Sequence, residues 1–107
     1  MNVMTDIVKN KNIPEKFYLA QNYPNPFNPS TRISYHIPEQ SRVRINIYNI
    51  LGKHIAELTN NIKSSGDYNL KWNAGNLPSG FYFLNLDAIS LKSNNRFNKT
   101  IKMILVK

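Results

Sequence analysis

Apolar and polar residues alternate in short runs along this chain, and turn residues separate the runs. The strictest alternation covers residues 31–37 and 42–48. The residues predicted to face inward from these two runs are Ile33, Tyr35, Ile37, Val43, Ile45 and Ile47. A period of two residues is that of a strand with one buried face. Because only residues 38–41 separate the two runs, we predict that they pair as an antiparallel hairpin.

Five further runs predict strands, and polar or glycine-containing segments separate them. They cover residues 17–20, 54–58, 67–72, 81–86 and 97–106, with loops predicted over 60–66, 73–80 and 87–95. No stretch shows the period of about 3.6 residues that marks an amphipathic helix. About seven short strands between turn signals are typical of an all-β, Ig-like antiparallel sandwich, and a small barrel is the alternative.

A proline-rich segment, residues 23–31, precedes the first strictly alternating strand. Its prolines, Pro24, Pro26 and Pro29, each lack an N–H group and have φ fixed near about −65°, which excludes them from a helix or a central strand. The residue before each proline is restricted to extended backbone. We therefore expect a stiff loop with a mainly structural role, and Tyr23 or Phe27 packed against the end of the sandwich.

The chain is expected to hold one small domain, residues 17–107, after a linker or disordered lead-in over residues 1–16. Residues 1–20 lack an apolar run bounded by basic residues and a small-residue cleavage site, so we expect no signal peptide in this chain. No stretch approaches the ~20 apolar residues of a membrane-spanning helix.

The formal net charge is +8, from 14 Lys and Arg against 6 Asp and Glu. Such a charge suits nucleic acid or an anionic membrane surface. Arg32, Arg42 and Arg44 are predicted on outward faces of adjacent strands, near Tyr48, an arrangement that could track a single strand of nucleic acid. However, the basic residues form no block, and charged side chains are usual on a solvated sheet face. We therefore expect no nucleic-acid partner.

Catalytic and metal-binding constellations are not apparent in the sequence. The chain has no cysteine, and its six carboxylates show no paired spacing. His36 and His54 are each predicted on the polar face of a strand. Residues 98–100 match the glycosylation sequon, a match that is close to chance at three residues. We expect neither enzymatic activity nor a cofactor.

Several motifs follow one another in a distinctive order. They are the proline-rich segment 23–31, Asn49-x-x-Gly52, Gly66-x-Tyr68-x-Leu70-x-Trp72, Leu77-Pro78-Ser79-Gly80-Phe81-Tyr82, and the terminal run Lys102–Lys107. In this combination the chain closely resembles the type A C-terminal sorting domain of the Bacteroidota type IX secretion system over residues 17–107. It is also similar to the Ig-like domain of the flagellar hook-capping protein.

The resemblance implies a non-catalytic address label. Such a domain follows an N-terminal cargo domain in an exported precursor, folds in the periplasm, and is recognised by the outer-membrane translocon. A sortase then commonly removes it as the cargo reaches the cell surface, so contact with the outer membrane is indirect. A structural or adhesive module of the hook-capping type is the alternative.

The resemblance also implies roles for individual residues. The residues matched to structural motifs are Pro24, Asn25, Pro26, Phe27, Asn28, Pro29, Gly52, Gly66 and Trp72. We hypothesise that the translocon reads the end of the domain, namely Gly80, Tyr82, Lys102, Met103, Ile104, Leu105, Val106 and Lys107. The physical basis is that a terminal edge strand offers unpaired backbone groups to which a partner can add a strand.

Overall fold

The computed structural model describes residues 16–107, which form seven strands in two antiparallel sheets. The strands are β1 (Tyr18–Leu19), β2 (Ser30–Ile37), β3 (Ser41–Asn49), β4 (His54–Lys63), β5 (Gly66–Asn73), β6 (Gly80–Ser90) and β7 (Arg96–Leu105). One sheet has the order β1-β2-β5 and the other β4-β3-β6-β7. Two separate sheets around a shared core confirm the predicted Ig-like sandwich rather than a barrel. The predicted lead-in lies outside the described residues, except for Lys16.

The predicted hairpin between the first two alternating strands was wrong. β2 pairs with β5 and β3 pairs with β4 and β6, so the chain changes sheets across residues 38–40. Each strand has one apolar face, and placing the two strands in opposing sheets buries both faces against each other. Alternation identified the buried faces of the strands but carried no information about their partners.

Two strands are longer than predicted. β4 continues to Lys63 and β6 to Ser90, so the loops predicted over 60–66 and 87–95 shrink to residues 64–65 and 91–95. Both strands stay paired with β3 beyond the point where their apolar pattern ends, since Ser41 lies opposite both Lys63 and Ser90. β4 is an edge strand and carries mostly polar or half-exposed side chains, which is why its second half reads as a loop.

The core lies between the two sheets and is built from alternate residues of the long strands. Its fully buried side chains include Ile33, Ile37, Val43, Ile45, Ile47, Leu84, Leu86, Met103 and Leu105. Burying one aliphatic side chain of this size contributes about 1.5–3 kcal/mol, so these residues are the main source of stability. Trp72 on β5 is also buried.

The strand directions define two ends of the sandwich. At one end lie the start of β2, the turn between β3 and β4, the start of β6 and the end of β7, as the pairs Asn49–Tyr82 and Gly80–Leu105 show. We call this the motif end, because the proline-rich segment 23–31 lies there as well. At the opposite end lie Lys16, Phe17 and residues 38–40, 64–65 and 91–95.

Candidate functional site

Phe27 joins the proline-rich segment to the last strand. Its backbone N–H donates to the carbonyl oxygen of Ile104 at 2.9 Å, and its carbonyl oxygen accepts from the N–H of Val106 at 3.0 Å. Its side chain is 2 % exposed, and its ring centroid lies 5.7 Å from that of Trp72. The expectation that one aromatic residue of the segment packs on the sandwich end is confirmed for Phe27, whereas Tyr23 is 79 % exposed.

Buried hydrogen bonds fix the shape of the proline-rich segment. Asn22 is buried, and its amide donates to the Thr31 hydroxyl at 3.0 Å and to the Pro24 carbonyl at 3.2 Å. The Thr31 hydroxyl donates in turn to the same carbonyl at 2.9 Å. Leaving such a group unpaired costs about 1–3 kcal/mol, so the network holds one conformation of the loop. Sequence reasoning missed Asn22, since one asparagine among 17 carries no signal.

The segment that leads into this loop runs beside the outer edge of β7. Four contacts join them, in chain order. The rings of Phe17 and Phe97 stack with their centroids 5.6 Å apart, and Lys99 Nζ donates to the Leu19 carbonyl at 3.2 Å. Gln21 Nε2 donates to the Lys102 carbonyl at 2.8 Å, and within the loop itself Asn25 Oδ1 accepts from the Ile104 N–H at 2.9 Å. The backbone groups expected to be unpaired are therefore already engaged at Ile104 and Val106. At these residues a partner could add a strand only by displacing the proline-rich segment.

The start of β6 meets the same end of β7. The Ser79 hydroxyl oxygen accepts from the Lys107 N–H at 2.9 Å, and Gly80 lies opposite Leu105. The Tyr82 hydroxyl donates to the Pro78 carbonyl at 2.7 Å, and its ring centroid lies 6.1 Å from that of Trp72. Motif residues from four separate stretches of the chain thus pack together at the motif end.

The residues predicted to contact the translocon divide into two groups. Tyr82, Met103 and Leu105 are buried and belong to the core. Gly80, Lys102, Val106 and Lys107 are exposed, and Ile104 is half-buried. Only the second group presents side-chain or backbone atoms that a partner could touch in the folded domain.

The glycines matched to motifs lie at different ends. Gly52 has φ of +82° in the turn between β3 and β4, at the motif end, where a residue with a side chain would be strained. Gly66 begins β5 opposite Ile37, at the other end of the sandwich. The structure therefore brings Gly52 toward the terminal residues and keeps Gly66 away from them.

Two expectations about polar side chains were wrong. His36 is buried rather than solvated, because β2 is the middle strand of its sheet and His36 lies between Tyr18 on β1 and Asp67 on β5. A carboxylate oxygen of Asp67 lies 2.7 Å from Nδ1 of His36. Arg32 lies on the three-stranded sheet, whereas Arg42 and Arg44 lie on the four-stranded sheet. Because the outer faces of the two sheets point in opposite directions, these arginines form no common basic surface. His54 is exposed as predicted.

Charge is distributed unevenly between the ends. The Arg96 guanidinium forms hydrogen bonds to Asp87 and holds the pKa of that carboxyl below its usual value, while the hydroxyls of Ser90 and Ser93 lower the pKa of Glu39. These groups lie toward the end opposite the motifs. The opposite end also carries Lys63, Lys92 and Arg96, so both signs of charge occur there, whereas the motif end carries lysines, namely Lys53, Lys102 and Lys107.

Residues 16–107 hold neither a cluster of metal-ligating side chains nor a membrane-spanning helix. Across this range, no three side chains of His, Asp or Glu come together in a way that could hold a metal ion. The same residues contain no helix with the length and hydrophobicity needed to cross a membrane.

Comparison with known proteins identifies the family. The model of a family described as the secretion system C-terminal sorting domain matches residues 21–106. No curated protein matches the chain. The matched range begins two residues before the proline-rich segment and ends at residue 106, so it contains the motifs that meet at the motif end except for the terminal Lys107. The chain therefore belongs to the type IX secretion C-terminal sorting domain family.

Proposed function

We propose that this domain is the part of an exported precursor that the outer-membrane translocon of the type IX system reads, and that the motif end is the surface it reads. The observation that carries this proposal is the pair of hydrogen bonds between Phe27 and the last strand. They make the position of the terminal residues depend on a segment about 80 residues earlier in the chain. The feature that the translocon recognises is then a surface of the folded domain, which an unfolded C-terminal tail would not form.

Within this surface, the exposed residues make contact and the buried ones hold them in place. Lys102, Val106 and Lys107 have accessible side chains, whereas Met103 and Leu105 alternate with them and anchor β7 in the core. A preordered surface binds more tightly because less conformational entropy is lost in the complex. The domain therefore acts by recognition and performs no chemistry of its own.

The geometry also suits a cargo attached on the N-terminal side. Lys16 leads into β1 at the end opposite the motif end. β6 and β7 have 11 and 10 residues, and a strand rises about 3.3 Å per residue, so roughly 30 Å separates the two ends. A folded cargo can occupy one end while the translocon holds the other. In the same proposal, a sortase cleaves between cargo and domain after transit from periplasm to cell surface.

The test is a fusion of a signal peptide, a fluorescent cargo and residues 1–107 in a type IX-competent cell. Deleting Lys102–Lys107 would also remove the buried Met103 and Leu105, so a surface-only variant is sharper. We expect Lys102→Glu combined with Val106→Ser to leave the fold intact and to retain cargo in the periplasm.

Two controls make the result interpretable. Ile89→Ser alters an exposed apolar side chain on β6 near the opposite end and should be exported like the native fusion. Circular dichroism of the purified domains should show equal melting temperatures. Normal export of the Lys102→Glu, Val106→Ser fusion would contradict a role for the terminal residues as contacts.

A further inference from the structure

The turn between β3 and β4 holds two aliphatic side chains in solvent on a fixed backbone. Asn49 organises it: its side-chain oxygen accepts from the N–H groups of Leu51 at 2.9 Å and Lys53 at 3.0 Å. Its backbone adds bonds to Lys53 and Gly52, both at 2.9 Å. Despite this order, Ile50 is 63 % exposed and Leu51 is 88 % exposed.

Further exposed apolar residues lie at the same end of the four-stranded sheet. Phe81 is the second residue of β6 and is 42 % exposed, and Val106 follows β7 and is 50 % exposed. β3, β6 and β7 are neighbours, with Asn49 opposite Tyr82 and Phe81 opposite Ile104, so these residues lie at one end of three adjacent strands. We call Ile50, Leu51, Phe81 and Val106 the apolar patch. Single exposed apolar residues are ordinary, but a group of them marks an interaction surface.

Three lysines lie next to residues of the apolar patch. Lys53 follows the turn, Lys107 follows Val106, and Lys102 Nζ lies 5.0 Å from the centre of the Phe81 ring. Of the carboxylates in residues 16–107, Glu39, Asp67 and Asp87 are engaged toward the opposite end, and Glu57 lies on β4, four residues after Lys53. A complementary surface would therefore be apolar at its centre and acidic at its rim.

We propose that the apolar patch is a docking surface whose tip, Ile50 and Leu51, enters an apolar pocket with an acidic rim on a protein of the export apparatus. The patch covers both the turn at the end of the sheet and, through Phe81, the sheet's outer face. Such a bent surface fits a protein pocket, whereas a flat lipid surface would reach only the tip. The inference rests on the proposed function. It adds Ile50, Leu51 and Phe81, which lie outside the terminal motif, to the residues that make contact.

The experiment uses the same fusion with Ile50→Ser and Leu51→Ser combined. Because both side chains are mostly exposed and the turn is held by Asn49, the melting temperature should stay within about 2 °C of the native value. Surface cargo should fall by about tenfold or more, the size expected for loss of a central apolar anchor. Leu91→Ser is the matched control, since Leu91 is likewise an exposed aliphatic residue, at 50 %, but lies at the opposite end.

The outcomes separate this inference from the proposal on which it rests. If the native fusion and the Ile50→Ser, Leu51→Ser fusion are exported equally, the apolar patch is not a docking surface, although the proposed function stands. If the native fusion itself stays in the periplasm, the proposed function fails.

Two measurements on the purified full chain test other occupants. Sedimentation with vesicles of anionic phospholipid that requires Ile50 and Leu51 would assign the patch to lipid and overturn the inference. Dimerisation in analytical ultracentrifugation that the double substitution abolishes would assign it to a second copy, with the same consequence. Absence of both, together with the export defect, is the result that we expect.

Discussion

At the residue scale, Phe27 and Tyr23 show how one segment divides between core and surface. Both are aromatic residues of the proline-rich segment, but Phe27 is buried against Trp72 while Tyr23 stands in solvent. Proline spacing predicted a stiff loop and could not decide which ring turns inward. That choice depends on the hydrogen bonds of Phe27 with Ile104 and Val106, which are remote in sequence.

This difference gives a matched pair of substitutions. Phe27→Ala should lower the free energy of unfolding by about 3–5 kcal/mol, the usual cost of removing a buried aromatic side chain. Tyr23→Ala should change it by less than about 0.5 kcal/mol, as for most surface substitutions. Urea denaturation measures both values. Similar losses for the two variants would contradict the assignment of Phe27 as the residue that ties the loop to the core.

At the element scale, β7 is the strand that carries most of the terminal residues of the proposed recognition surface. Its inner edge pairs with β6 along its whole length, and residues 17–27 contact its outer edge. Its far end is held to β6 by Asp87, whose carboxylate accepts hydrogen bonds from Arg96 Nε at 2.9 Å and Nη2 at 3.1 Å. Pairing with the guanidinium lowers the pKa of Asp87.

The ion pair predicts a pH dependence of stability. Because the folded pKa of Asp87 lies below its unfolded value, the pairing contributes stability above the unfolded pKa and loses it as pH falls through the folded pKa. Denaturation midpoints measured from about pH 6 to about pH 3 should therefore fall less steeply for Asp87→Asn than for the native domain. Arg96→Gln should flatten the curve similarly, since it removes the other partner. Acid curves parallel to the native one would contradict this role.

The strands also show what sequence alone could predict. Alternation located seven strands and their buried faces, and the motif order indicated the family. It could not assign partners, so β2 and β3 were joined in a hairpin that does not exist, and Arg32 was grouped with Arg42. Nor could it reveal that Asp67 would contact His36, or that Phe27 would occupy the edge of β7. These features arise from contacts between distant segments, which the local period of one strand does not encode.

At the scale of the whole molecule, the domain has two structurally different ends. The motif end gathers the proline-rich segment, the β3–β4 turn, the start of β6 and the terminal residues, together with the apolar patch and its lysines. The opposite end receives the chain from Lys16 and holds Glu39 with its serine partners. In the function that we propose, the cargo occupies one end of the domain and the translocon binds the other.

The most direct test of the central claim is translocon dependence of export. The fusion of signal peptide, fluorescent cargo and residues 1–107 would be expressed in matched cells with and without a functional type IX translocon. Fluorescence of intact cells would be measured by flow cytometry before and after protease treatment, and the fluorescence lost to protease is the surface cargo. The proposed function predicts protease-sensitive surface cargo only in the competent cells and periplasmic cargo in the deficient ones. Equal surface cargo in both cells, or periplasmic cargo in both, would contradict it.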